Sequence, residues 1–595
     1  MSASENTAYF SDGLADTLLH MLAQVPGLRV PARTSSFKFR DYAGDIREIG
    51  DTLQVGAVLE GSVQLYGEKI RVTTQLIDAR TGYHLWSGNY DQNLSDIFAV
   101  QDTIARAVVS ALRLTLLDET QERLDQTRSD NAQAYTEYLL GIDNLSPSTT
   151  ESLERAAEHM QKAIRLDPEY ADAHSALGLI YLEMVMYGSI GSIGAVEGLA
   201  RAKEAASRAL AIAPESSEAL AVLGAVELEG NNPETAGQLL QKAIENGPND
   251  VFALTHYGTW VQSQLRYAEA GDIFQRALDL DPLEDTPYWR LAGNLYFQKR
   301  FPEAQELNAQ WRKVIPESVN VSGYEAIGYT LQGKYAAALQ ALLTNPVDDP
   351  KDPEGPAGIA WEYLLMDMPD EAREWFDKAI EVNPEHPVSL VAPLWLNFYQ
   401  QQNEEEIVRL ARELLANRIE WRRASRPVVV FVLLEHAAKS GQHEILLKLL
   451  DNLYPNLFDD PPYDVQRTWY AAFIVGLALV QRGDTDRGGR LLRAYLEHQD
   501  LADEALGPDW KSVAARLALG EKAEAISTFR ELARVNKWFW QNIYSVPYGI
   551  LSQVMLKHSV IFDPIRNEPE FIELLELYET NVAEQRQLVQ EMGIR

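Results

Sequence analysis

The sequence predicts an α+β amino-terminal domain followed by an all-α solenoid of helix pairs, and three observations carry that reading. Pro214, Pro248, Pro282 and Pro316 stand 34 residues apart, with Pro350 and Pro384 two steps further on. Twelve residues before each proline of the series, starting from Pro168, stand Ala156, Ala202, Ala236, Ala270, Ala304, Ala338 and Ala372. Ahead of this periodic part, two runs of alternating apolar and polar residues over 59–76 meet at Tyr66-Gly67-Glu68-Lys69, the pattern of a β-hairpin.

Residues 1–115 do not follow the period. Ser11-Asp12-Gly13 reads as a helix start, followed by apolar residues at Leu14, Leu18, Met21, Leu22 and Val25. Pro26-Gly27 ends that helix, and Leu28-Arg29-Val30 reads as a short strand. Asp45 caps a second helix over about 45–54. After the hairpin, the turn Asp78-Ala79-Arg80-Thr81-Gly82 leads into a third strand, His84 to Tyr90, and Asp96 opens a long helix through Ile104 and Leu112.

Several stretches here carry a resemblance: Tyr9-Phe10-Ser11-Asp12-Gly13-Leu14, Pro26-Gly27-Leu28-Arg29-Val30, Ala32 to Phe37, Val58 to Val63, Gln75-Leu76-Ile77-Asp78 and Leu85-Trp86-Ser87. In that order they resemble the TolB amino-terminal-like α/β domain. The resemblance implies a bacterial signalling context, because such domains precede repeat arrays in proteins that also carry an adenylate cyclase, a winged-helix regulator or a protein kinase. In that family an apolar strand precedes the Tyr-Phe-Ser-Asp-Gly stretch, whereas only Met1 to Thr7 stand there in this chain. A chain that begins inside a longer protein is the expectation. The alternative is an incomplete sheet that pairs with another chain and gives a homo-oligomer.

Residues 116–134 read as a helical linker, and the first periodic helix opens with Tyr135, Tyr138 and Leu139. The period of 34 over 135–386 resembles the tetratricopeptide repeat (TPR), in which a small residue lets two helices approach and a proline ends each pair. Five residues before the prolines stand Ala163, Ala209, Ala243, Ala277 and Ala379, with Trp311 and Asn345 as exceptions. Ten residues after three of them stand Gly178, Gly224 and Gly258, and Phe274 and Phe376 hold the large position eight before. The glycine-rich stretch Tyr187 to Gly194 lengthens one unit by 12 residues and reads as an inter-helix loop.

Pro346 to Pro356 reads as a rigid acidic connector without regular helix. Residues 387–560 keep helical patterning without the strict period, with turns at Gly483 and Gly520 and a breaker at Asp459 to Tyr463. Trp538-Phe539-Trp540 and Ile561 to Arg566 resemble the closing segment of the same signalling proteins, and 561–595 ends in a charged capping helix over about 568–591.

Composition narrows the function classes. The net charge is −34, of which residues 1–115 hold −3 and the remainder −31. That surface repels phosphate backbones and anionic lipid heads, so nucleic acid and membrane are excluded as direct partners and a basic protein or peptide is favoured. No stretch is long and apolar enough to span a membrane. The chain as written reads as cytoplasmic, and as periplasmic if a membrane span precedes residue 1. There are no cysteines, which removes disulfides, thiolate metal sites and cysteine nucleophiles.

Catalytic patterns are absent from the sequence: no glycine loop ends in Gly-Lys-Ser/Thr, no His-Glu-x-x-His occurs, and His436 and His443 read as surface or packing residues. No enzyme activity, cofactor or metal is predicted. The expected function is a scaffold or sensory module that binds peptides in the groove of the repeats, with Tyr181, Tyr257 and Asn294 offered as groove residues. Arg29, Arg33, Lys38 and Arg40 form a candidate anion patch. The sensory half of a signalling enzyme and a self-assembling subunit are the two alternatives.

Overall fold

The alternating stretches form a three-stranded antiparallel sheet in the order β1 (Ala57–Tyr66), β2 (Lys69–Asp78), β3 (His84–Asn93). Val63 pairs with Val72 and Tyr66 with Lys69 across the first hairpin, and Leu76 faces Trp86 across the second. On β2, Ile70, Val72, Thr74 and Leu76 are buried while Lys69 and Arg71 face solvent, the period-2 alternation of a half-covered strand. The turn after β2 is held by the Asp78 carboxylate, which accepts from the backbone of Arg80 and Thr81, and Gly82 adopts φ +75°.

A computed structural model describes the chain apart from residues 1–4, 24, 26–27, 41, 67–68, 94–96, 113–128, 130, 146–149, 187–194, 231, 319, 345–352, 401–403, 417–425, 455–456, 459–464, 507–509, 537–555 and 595. The glycine-rich loop, the Asp459 breaker and Trp538-Phe539-Trp540 therefore lie outside the described residues. The chain divides into two compact units, Met1–Leu291 and Ala292–Arg595.

In the first unit, α1 (Glu5–Ala23) and α4 (Ile97–Ala111) cover the apolar face of the sheet, with the short α2 (Arg33–Phe37) and α3 (Ile46–Leu53) between them in sequence. Asp45 caps α3 by accepting from Arg47 N. Ser11-Asp12-Gly13 does not start a helix, because α1 begins before it. Asp12 and Asp16 instead pair with Arg40 (2.9 Å) and Arg33 (3.3 Å), so these carboxylates answer tertiary charges rather than backbone donors. Leu28-Arg29-Val30 forms no strand.

The repeats follow as α5 (Ala132–Asp143), α6 (Thr150–Leu166), α7 (Ala171–Met186), α8 (Ala195–Ile212), α9 (Ser217–Glu229), α10 (Pro233–Asn246), α11 (Val251–Ser263), α12 (Tyr267–Leu280) and α13 (Asp285–Phe297). All seven register alanines are fully buried, as are Ala163, Ala209, Ala243, Ala277 and Ala379. At the register glycines the approach is close: a Cβ on Gly258 would meet the Phe274 ring at 2.5 Å. Trp311 breaks the small-residue pattern and is also fully buried, with its ring 5.8 Å from that of Tyr324.

The sheet and the first repeats share one core, running from Leu14 and Ile104 through Tyr135 and Leu153 to Val226. Gly13 marks the closest approach, since a Cβ there would collide with the Leu139 side chain. Beside it the buried Tyr135 hydroxyl meets Thr17 Oγ1 (2.8 Å) and accepts from Gln101 Nε2 (2.6 Å).

The second unit continues the pairing with α14 (Phe301–Val314), α15 (Asn320–Thr330), α16 (Tyr335–Thr344), α17 (Glu354–Leu365), α18 (Pro369–Val382), α19 (Pro387–Tyr399), α20 (Glu404–Ala416), α21 (Arg426–Ser440), α22 (His443–Leu453), α23 (Val465–Arg482), α24 (Thr485–Leu506), α25 (Trp510–Ala518), α26 (Lys522–Asn536) and α27 (Pro569–Glu591). Of the expected non-helical connector, residues 346–352 lie outside the described residues, and Glu354, Gly355 and Pro356 form the first turn of α17, where a missing N–H costs no hydrogen bond. Gly483 and Gly520 take φ +99° and +79° at the turns after α23 and α25.

The last helix folds back. Phe571 stacks on Phe529 of α26 at 5.2 Å, while the far end of α27 reaches the turns of earlier pairs. There Asn581 donates to Gly333 O, Gln585 Oε1 accepts from Ala336 N, and the Arg586 guanidinium donates to the carbonyls of Met366 and Asp367.

Candidate functional site

The three groove candidates stand on α7, α11 and α13. Tyr181 on α7 is buried, its hydroxyl accepts from Gln161 Nε2 (2.9 Å), and Arg201 lies 5.7 Å above its ring. Tyr257 on α11 is half-buried and stacks on Trp260 at 5.5 Å, while Trp260 donates to Pro233 O. Asn294 on α13 is fully buried and belongs to the second unit. Of the aromatics in the array, Tyr296, Trp311 and Trp395 are fully buried, and Trp260, Trp289, Trp361 and Trp375 keep partly exposed edges.

The four cations of the candidate anion patch are largely answered by carboxylates. Arg33 and Arg40 pair with α1 as described, and Arg33 also covers the Phe37 ring at 4.4 Å. Lys38 lies close enough to Asp281 and Glu284 to lower both their pKa values, although burial dominates and raises them. Arg29 is exposed.

What the sequence did not reveal is the acidity of the buried face between α1 and the repeats. Burial raises Asp16 on α1, against the pull of Arg33, and raises Glu218 at the start of α9 well above its ordinary value, and Glu218 is raised further by Asp172 of α7, Asp250 at the cap of α11, and Asp16 itself. Glu183 and Glu284 are each pushed up to about 7, again by burial first, and each feels a neighbouring carboxylate. Counting −31 along the repeats could not show this, because most of that charge is solvated and only its position on the first helices makes these groups costly.

The end of α1 at Ala23 and residues 28–35 are gripped at two successive turns of the array. Asn249, one residue after Pro248, donates its amide to the carbonyls of Ala23 (2.8 Å) and Leu28 (2.9 Å). One repeat later, Leu280 O accepts from Ala32 N (2.7 Å), and the buried Asp281 carboxylate accepts from Ser35 N (3.1 Å), Ser35 Oγ (2.6 Å) and Thr34 Oγ1. Ser35 Oγ in turn accepts from Leu283 N (2.8 Å). A signal for this existed in the register: the position after the proline is Glu169, Glu215 and Glu317 in other repeats but Asn249 here.

In the second unit the chain's own end occupies a comparable position. The Glu435 carboxylate, buried on α21, accepts from Ser559 Oγ (2.7 Å) and Val560 N (3.1 Å), and Phe562 packs between Trp510 and Phe571. Among the described residues no group of three or more His, Asp or Glu side chains is placed to hold a metal ion, and no helix is long and apolar enough to cross a membrane.

Residues 150–185 match the family described as "TPR repeat" and residues 357–386 the one described as "Tetratricopeptide repeat". Over 182 residues the chain is 37% identical to "Putative adenylate cyclase 3" of Rhizobium meliloti (strain 1021), covering 31% of each protein. Over 253 residues it is 24% identical to "Cellulose synthase operon protein C" of Pseudomonas fluorescens (strain SBW25), covering 39% of this chain and 19% of that one. The chain thus spans less than a third of the length of these curated relatives. A solved tetratricopeptide repeat protein from Parabacteroides merdae ATCC 43184 is similar at 15% identity and a TM-score of 0.33, over 48% of this chain and all of that one. With the period, the buried register alanines and the two family matches, the helix pairs of this chain pack like a tetratricopeptide-repeat solenoid.

Proposed function

We propose that the chain is a non-catalytic scaffold that recognises basic protein or peptide segments through its repeats. The observation that carries this reading is the charge of the helical part, −31 outside residues 1–115, on an array of tetratricopeptide-type helix pairs. Helix-pair arrays present extended surfaces suited to such recognition, and acidic side chains select cationic partners. The test is binding of a set of Arg/Lys-rich peptides and their Asp/Glu-rich counterparts at 50 and 300 mM salt. Preferential binding of the basic set, weakened at least several-fold by salt, is expected; equal binding of both sets overturns the reading.

A second reading is favoured by the match to the Rhizobium protein, whose name is that of a cyclase and of which this chain covers 31%. In it the TolB-like part and the repeats form the sensory half of a signalling enzyme. It predicts that the gene encodes a cyclase, kinase or DNA-binding domain in the same or a neighbouring reading frame. A third follows from the sheet, whose β1 and β3 are both edge strands among the described residues. Pairing there would give a homo-oligomer, and a sedimentation series with no concentration dependence would remove it.

A further inference from the structure

Residues 28–35 lie on the array as a ligand would. Residues 28–32 lie outside regular secondary structure and residues 33–35 open α2, so backbone groups here and at the end of α1 need partners from elsewhere. Four of those groups, the carbonyls of Ala23 and Leu28 and the amides of Ala32 and Ser35, find them on the turns before α11 and α13. Asn249 and Leu283 occupy the same position of successive repeats, so the arm follows the repeat axis and uses one turn per step. Recognition through main-chain groups with a few placed side chains is how extended segments are bound on repeat surfaces.

The array side of this seat is acidic, with Asp281, Glu284 and Asp285 in sequence, and the arm is basic, with Arg29, Arg33, Lys38 and Arg40 flanking Thr34 and Ser35. Asp281 accepts from both of those hydroxyl groups. Asp281 is thus matched to a segment bearing two adjacent hydroxyls, and Lys38 lies near Asp281 and Glu284, whereas Arg33 and Arg40 pair with Asp16 and Asp12 of α1.

We propose that residues 28–40 are a resident internal ligand, and that a partner carrying a basic segment with adjacent Ser/Thr hydroxyls gains the seat at Asn249 and Asp281 by displacing them. This rests on the scaffold reading above and assigns it a specific seat and a built-in competitor.

The test uses the full chain and a labelled synthetic peptide of its own residues 28–40. The wild-type chain is expected to bind the peptide weakly, because the seat is filled. Thr34→Ala/Ser35→Ala, which removes the arm's hydroxyls and leaves the seat intact, is expected to bind it at least tenfold more tightly. Adding Asn249→Ala and Asp281→Asn is expected to abolish that gain. In the wild-type chain, excess peptide should also speed hydrogen exchange at the Ala32 and Ser35 amides, a readout that needs no variant to fold. Peptide binding that is unchanged between wild type and the hydroxyl variant, or exchange at Ala32 and Ser35 that excess peptide does not alter, overturns the proposal. If that happens while unrelated basic peptides still bind with salt dependence, only the seat is wrong; if no basic peptide binds, the scaffold reading falls with it.

Discussion

Thr330 donates its hydroxyl to Glu362 Oε1 at 2.6 Å, and the second oxygen of that carboxyl group is buried without a hydrogen-bond partner. Burial pushes Glu362 up to about 8, against the downward pull of the Thr330 hydrogen bond. The folded value lies above the unfolded one, so the protonated group contributes stability that is complete below the unfolded pKa of 4.5 and is lost as pH rises through 8. The expected outcome is that α15 and α17 become less protected in hydrogen exchange between pH 5.5 and 9, after correction for the intrinsic rate. Glu362→Gln should flatten that dependence and stabilise the second unit at pH 9 by a few kcal/mol.

The first unit should lose stability over a lower window. Glu183 and Glu284 are each raised to about 7 by burial, and one oxygen of Glu183 has no hydrogen-bond partner. Their contribution is complete below the unfolded 4.5 and gone above about 7, so the first unit should be more resistant to urea at pH 5.5 than at pH 8. Glu183→Gln is expected to recover roughly 1–3 kcal/mol at pH 8 and nothing at pH 4.5. An equal gain at both pH values would show that the effect is one of packing.

The register alanines make a steric prediction. Ala270→Leu adds three carbon atoms at a fully buried crossing and should destabilise the first unit by about 1–3 kcal/mol or more, read as a lower thermal midpoint. Gly258→Ala is smaller, yet its methyl would sit 2.5 Å from Phe274, so it should also destabilise; Gly293→Ala, with nothing within 4 Å, should not.

Arg586 tests the return of the last helix. It donates to the Met366 and Asp367 carbonyls and pairs with the Asp367 carboxylate, in a site that is partly exposed. Arg586→Ala is expected to cost about 1–2 kcal/mol and to speed hydrogen exchange at Ala336, whose N–H is held by the neighbouring Gln585. Unchanged exchange at Ala336 would mean that Gln585 docks independently of the arginine.

The repeats were legible because they rest on short-range sterics: a proline that ends a helix and an alanine that lets two helices touch are fixed by the chain within one pair. The hairpin was legible for the same reason, through its alternation and turn. The arm was not, since Leu28-Arg29-Val30 has strand composition and its hydrogen bonds go to Asn249, more than two hundred residues away. Ser11-Asp12-Gly13 misled because Asp12 serves Arg40, and Gly13 is small for the sake of Leu139 rather than to begin a helix. Asn294 was chosen by its position on a first helix, and sequence carries no measure of how deeply such a position is covered.

Repeat arrays commonly change by gaining or losing whole units, since each unit contacts only its neighbours. The double grip on residues 28–35 forbids that between Asn249 and Asp281. One extra helix pair inserted there would carry Asp281 a full repeat beyond the reach of Ser35, and one pair fewer would remove a grip altogether. Related chains that keep this arm should therefore vary in length anywhere but here, with the interval from Pro248 to Pro282 held at a single repeat.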